Sequence, residues 1–324
     1  MLPLTGDFSA VTVFDHAVVD QLADYFDLDY TANDIEQMDL WLDNLSLLAE
    51  QNLGLAHCVV HNQSARSCVS IAYHKTGRED FKRSFRSQIG AYSFYKGQNK
   101  HKHQIDSMQW NGNRLYGVKR WCSQLKVADY VVLKVALNPQ NVLNIFVDLK
   151  QTPHEIRPSD FEPIGLDIAR PYDLYIDSDL PADWLLSPYL DYVTPNKLHF
   201  YGMITNYIAC GNRLLRQASE LGFAVEYEIK KLQLDLNIAH MLKKSSLPIL
   251  LDADLGKSFS VINPQYQFAR KSLIATISFF LEVMSTGLCD AQSARSQCFR
   301  DALTMGSHVV SLYRHVDGAI YNFI

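Results

Sequence analysis

A chain of 324 residues, 48% of them hydrophobic, is long enough for two or three domains and has the apolar content for an extended core. Its net charge of −5 gives no long-range attraction to nucleic acid. The six cysteines show no CxxC spacing, so they read as reduced thiols serving as small core residues of a cytoplasmic protein.

The first residues, MLPLTGDFSAVTVFDHAVVDQ, have neither a basic leader nor an unbroken apolar stretch, which argues against a signal peptide. Residues 14–75 then carry helical periodicity. HAVVDQLADYF and DIEQMDLWLDNLSLLAEQ repeat apolar residues at three-to-four spacing, with Asp34 placed to cap the second. GLAHCVVHNQSARSCVSIAYH (54–74) continues in that style, with small residues that let helices approach closely.

From about residue 88 short runs rich in Val, Ile, Tyr and Leu alternate with turns. QIGAYSFY (88–95), QIDSMQW (104–110), RLYGVKRWC (114–122), DYVVLKVAL (129–137), VLNIFVDL (142–149) and YDLYIDS (172–178) read as strands. Asn111-Gly112 and the NPQN stretch at 138–141 mark hairpins, because Asn and Gly tolerate positive φ. Strands without intervening helices predict an antiparallel sheet or small barrel. From about 195 helical patterns return at 197–222, 226–245, 264–287 and 290–323, with Gly222 a candidate C-cap; four such helices make a bundle. The most apolar stretch, 272–289, is flanked by Arg270 and Lys271 and contains Glu282, so it reads as a buried bundle helix and not a membrane span.

This helix–strand–helix order resembles the acyl-CoA dehydrogenase superfamily. The closest match is WNGNRLYGVKRWCSQLKVADYVVLKVAL (110–137), which follows that family's pattern of a turn, an L-x-G-x-K-x-W strand with a short hydroxyl two residues on, and a valine-rich strand. The match continues through IFVD (145–148), FEPIGLDIARPYDLYID (161–177) and DLPADWLLS (179–187). The resemblance implies a helical N-terminal domain (1–87), a middle β-domain of barrel or sandwich type (88–190) and a C-terminal four-helix bundle (191–324), a mainly α fold with a central antiparallel β-domain. It implies FAD (or FMN) at the junction of β-domain and bundle, a homodimer or homotetramer and a small-molecule substrate, an acyl thioester or another organic molecule. Neither nucleic acid nor membrane is expected as a partner. Trp121 would lie against the flavin ring and Ser123 near its reactive nitrogen N5, while Tyr92 and Ser93 would keep the contacts of the first strand.

The departures from the family's pattern matter equally. Its TEP-x-x-GSD loop is replaced by YSFYKGQNKHK (92–102), and its R-x-x-F-G motif is missing near ELGFAVEYEIKK (220–231). Thioester desaturation needs a carboxylate base. Neither TPNKLHFYG (194–202) nor the final DGAIYNFI supplies one. RSQCFRDALTMGSHVV (295–310) instead resembles the Arg-Asp…His helix of the flavin-dependent monooxygenase branch, which implies catalytic roles for Arg300, Asp301 and His308 and a flavin reductase as partner. The alternative is a degenerate, non-catalytic member that keeps the fold as a binding or assembly module. His57 and His61, at i and i+4, have metal-ligand spacing, but no third ligand is evident, so a helix surface or a packed interface is the reading and no metal is expected. GxGxxG, P-loop and GxSxG motifs are absent, which argues against Rossmann, kinase and hydrolase readings.

Overall fold

Helix α1 (His16–Phe26) starts where the Asp15 carboxylate accepts the Val18 amide, and it buries Val18, Val19, Leu22, Ala23 and Phe26. Asp34 caps α2 (Ile35–Gln51) by accepting from Glu36 and Gln37. Asn52 caps α3 (Leu53–Thr76) through the Leu55 amide, and Gly77 ends it in the left-handed conformation that a residue without Cβ adopts at no steric cost. Unlike the other two, α3 is buried nearly all round, its polar residues included, so it is the central helix of the fold. The computed structural model describes residues 1–29, 34–93, 106–138, 141–159, 165–188, 190, 194–220, 226–252, 255–284 and 297–305.

Among the described residues, seven strands form two sheets. One has the order β1 (Gly90–Ser93), β4 (Tyr130–Asn138), β5 (Asn141–Asp148). The other has the order β2 (Gln109–Trp110), β3 (Arg114–Ser123), β7 (Pro171–Asp179), β6 (His154–Pro158). All neighbours are antiparallel except β1 and β4. That parallel pair departs from the expected all-antiparallel arrangement because β1 enters from α3, and the hairpin of the other sheet intervenes before β4. Gly112, at φ 107°, makes the expected turn between β2 and β3. The 104–110 run contributes only two strand residues among those described. β6 has no alternating apolar pattern, being an exposed edge strand, and this is why its sequence, HEIRP, gave no strand signal.

The bundle consists of α4 (Thr194–Glu220), α5 (Glu226–Ser245), α6 (Leu255–Met284) and a helical segment, α7 (297–305). Pro264 lies inside α6 and does not open it. Ile262 and Tyr266, on either side of the proline, are both buried, and that packing outweighs one lost backbone hydrogen bond. Gly222 lies outside the described residues.

The apolar core forms two clusters that meet along α3. Its first half, through Val60, packs with α1, α2 and the bundle. Its second half, with Ala65, Cys68, Val69 and Ala72, packs against the sheets. No helix among the described residues is long and apolar enough to cross a membrane.

Candidate functional site

The site is built where β3 ends. Lys119 pairs with Leu174 of β7 and Cys122 with Tyr172, so Arg120 and Trp121 together face the single residue Asp173. This is a β-bulge, which bends a strand and re-aims a side chain. Trp121 takes φ 56°, a conformation that costs a bulky residue roughly 1–2 kcal/mol. Its ring is half-buried.

A bulge takes amides out of the ladder, and buried amides need acceptors. Two carboxylates supply them here. Asp106 accepts the Arg120 amide at 2.9 Å, and Asp173 accepts the Trp121 amide at 3.0 Å. Each carboxylate is buried beside a cation. Lys119 Nζ lies 2.8 Å from Asp106 and donates at 2.6 Å to the Lys134 carbonyl of the opposite sheet. Arg120 Nη1 lies 2.6 Å from Asp173. Buried pairs of this kind add little net stability, but breaking one is costly, so they hold the register.

Beyond the bulge, Gln124 turns the chain at φ 52° and its Nε2 donates to the Gly90 carbonyl at 2.5 Å. The Cys122 thiol donates to Ser93 Oγ at 3.2 Å. These two bonds bring the end of β3 against β1, so Trp121, Ser123, Tyr92 and Ser93 belong to one neighbourhood. Ser123, Tyr92 and Ser93 are buried, and Trp121 is the most accessible of the four.

Tyr92 faces inward. Its ring lies 5.9 Å from His199, which lies 5.0 Å from His61, itself 4.5 Å from His57. His61 Nδ1 is 3.0 Å from the Tyr92 carbonyl, which can only accept, so Nδ1 carries the proton. The Ser64 hydroxyl donates to the Val60 carbonyl and therefore accepts from His199 Nδ1 at 3.2 Å. The i, i+4 pair of the sequence is thus part of a buried junction joining α3, β1 and α4. Among the described residues no group of three or more His, Cys, Asp or Glu is placed to hold a metal ion. The Lys134 ammonium sits 5.6 Å from the Tyr92 ring, and burial lowers its pKa to about 8.

Arg300 and Asp301 lie on α7, where the main chain of 165–166 crosses the helix. Asp301 is buried and accepts the Leu166 amide at 2.8 Å and the Gln297 side-chain amide at 2.7 Å. Burial raises its carboxyl above the usual range, against the lowering effect of the Leu166 bond. Thr304 accepts the Gly165 amide at 2.7 Å, and a Cβ on Gly165 would fall 2.4 Å from the Arg300 carbonyl carbon. The Arg300 guanidinium donates to Gln297. His308 and the 94–105 segment lie outside the described residues. Asp106 and Asp173 escaped the sequence reading. Their signal was the basic pair Lys119-Arg120 at a strand end, which needs buried acids on neighbouring chain segments.

No protein-family model matches the sequence, and no curated protein is similar to it. Solved structures are similar in fold. A butyryl-CoA dehydrogenase from Megasphaera elsdenii shares 13% identity at a TM-score of 0.67, over 93% of this chain and 89% of that one. A dibenzothiophene monooxygenase from Paenibacillus sp. A11-2 reaches a TM-score of 0.70 at 10% identity, over 92% and 87%. A prolyl acyl carrier protein oxidase gives 0.69 at 11%, over 93% and 91%. With helices, paired sheets and bundle in the same order across nine-tenths of its length, the chain has the acyl-CoA dehydrogenase-like fold.

Proposed function

We propose that this protein is a flavin-dependent oxidoreductase that holds the ring of FAD (or FMN) against Trp121. The observation that carries the reading is the bulge: a half-buried indole kept at φ 56° by buried partners on two flanking chain segments. Strain of this kind persists where the surrounding structure enforces it, and it clusters at ligand sites. The donor set fits the ring end of a flavin, since the flat apolar side chain of Trp121 is followed two residues on by the short hydroxyl of Ser123. A bound flavin would supply hydride or oxygen transfer at its N5/C4a edge. The chain supplies the face, the orientation and the exclusion of water, with Tyr92 and Ser93 buried on β1, which Cys122 and Gln124 tie to the end of β3.

Oxygen-transfer chemistry is favoured over thioester desaturation. The start of α4 presents Lys197, His199 and Tyr201 where a carboxylate base would be needed, and all three are committed to buried contacts: Lys197 to the Ile249 carbonyl, His199 to Ser64 and Tyr201 to Ser246. Arg300 and Asp301 enter this reading by holding the 165–166 crossing that leads to β7, and His308 as the group that manages protons at the flavin edge. A small organic molecule is the substrate, with a flavin reductase as supplier of electrons, and the protein works as a homodimer or homotetramer in the cytoplasm.

A second reading, a non-catalytic binding or assembly module, is favoured by Asp301. Its carboxylate is already occupied by the Leu166 amide and Gln297. Titration with FAD, followed by absorbance and flavin fluorescence, separates the two. Saturable binding that Trp121→Ala weakens at least tenfold supports the oxidoreductase. No binding of FAD or FMN by the purified protein overturns it and leaves the module.

A further inference from the structure

We propose that Asp173 is the positioning residue of the Trp121 platform, and this inference rests on the flavin reading above. The bulge gives β3 one residue more than β7, so Arg120 and Trp121 share one residue opposite them. Asp173 is that residue, and its Oδ1 takes the Trp121 amide at 3.0 Å. The carboxylate holds the main chain of Trp121 in the left-handed region through that amide and so fixes the backbone from which the indole projects.

Asp173 is almost fully buried, at 1% exposure, so its charge needs a fixed counterion. Arg120, the other bulge residue, provides it from the same turn: its guanidinium meets Oδ2 at 2.6 Å while its amide goes to Asp106. One carboxylate thereby fixes both residues of the bulge, one through the main chain and the other through the side chain. Asp106 has a different task, because its partners are Lys119 and the Arg120 amide and it ties the bulge to the opposite sheet through the Lys119 bond to Lys134. Of the two acids, Asp173 touches Trp121 itself.

The experiment combines a binding cycle with a flavin-free signal. FAD dissociation constants are measured by fluorescence quenching for wild type, Asp173→Ala, Asp173→Asn, Trp121→Ala and the double variant Asp173→Ala/Trp121→Ala, each with its melting temperature. In parallel, protein labelled with fluorotryptophan gives a ¹⁹F resonance for Trp121, assigned by its loss in Trp121→Phe. We expect Asp173→Ala to weaken FAD about tenfold in the wild-type background and to add nothing once Trp121 is gone. Asp173→Asn, which keeps an acceptor oxygen, recovers most of the affinity. Asp173→Ala also moves the Trp121 resonance while leaving those of Trp41 and Trp184 in place.

An unmoved Trp121 resonance overturns the proposal, as does an equal loss of affinity in both backgrounds. A shifted resonance in a protein whose wild type binds no flavin sinks the flavin reading alone, and Asp173 still positions Trp121.

Discussion

Trp121 carries a backbone conformation that its own side chain disfavours, and this can be measured apart from any ligand. Glycine adopts positive φ freely, whereas alanine does not. Trp121→Gly is therefore expected to be more stable than Trp121→Ala by about 1 kcal/mol in urea unfolding. If alanine proves equal or better, φ 56° is not a strained position. Lys243 is a second residue out of place by composition. It is buried on α5, and its Nζ donates to Thr205 Oγ1 of α4 at 3.1 Å. Burial lowers its pKa from 10.5 to about 8. Between pH 8 and 10.5 the unfolded chain keeps this proton while the folded chain has lost it. The group therefore raises stability with pH by about 1.4 kcal/mol per pH unit within that window. Buried thiols act oppositely: burial pushes Cys298 up to about 11 and Cys68 up to about 12. The clean measurement is consequently a difference. Lys243→Met should be more stable than wild type at pH 7, and its advantage should shrink steadily from pH 8 to 10.5. An advantage that does not change between pH 8 and 10.5 would show that the folded chain keeps this proton as long as the unfolded chain does, and that burial does not lower the pKa of Lys243.

At the scale of elements, the crossing of 165–166 over α7 joins the segment leading to β7 with the last described helix. The approach is close enough that the place of a Gly165 side chain is filled by the main chain at Arg300 and Asp301. Main chain cannot yield as a side-chain tip can, so Gly165→Ala is expected to cost about 2–3 kcal/mol. Asp301→Ala would leave the Leu166 amide without its acceptor, at a cost of about 1–3 kcal/mol. Because the two residues serve one contact, the double variant should cost clearly less than the sum, as read from denaturant midpoints. Strict additivity would mean that the crossing is not a single unit. The same element logic explains the bulge: acids on neighbouring segments take the Arg120 and Trp121 amides and so hold β3 in its irregular course.

Across the whole molecule, the hydrophobic core follows two clusters and not the three compositional zones of the chain. Helix α3 belongs to both, with its Leu53–Val60 turns among helices and its Ala65–Ala72 turns against the sheets. Between them lie the buried histidines and Ser64, at the point where α3, β1 and α4 meet. A helix that carries polar residues through the middle of a fold orients its neighbours by hydrogen bonds, as Asn62 does by accepting the Gly90 amide at 2.8 Å. The orientation of sheets against bundle, and hence the setting of Trp121, depends on this junction.

The order of helices and strands, the caps at Asp34 and Gly112's turn, and the family likeness of 110–137 were all legible in the sequence. Each depends on local periodicity, on a conformation only certain residues adopt, or on a contiguous motif. The likeness also singled out Trp121 and Ser123. It did not reveal Asp106 and Asp173, because a carboxylate that satisfies a bulge amide is chosen by strand register across segments dozens of residues apart. The parallel pairing of β1 with β4 was equally hidden, since side-chain alternation is the same for both pairings. The burial of His57, His61 and His199 required the packing of α4 on α3. Local propensity and motif determined what the elements are; the register and packing of distant segments decided which polar groups meet, and therefore what the site is made of.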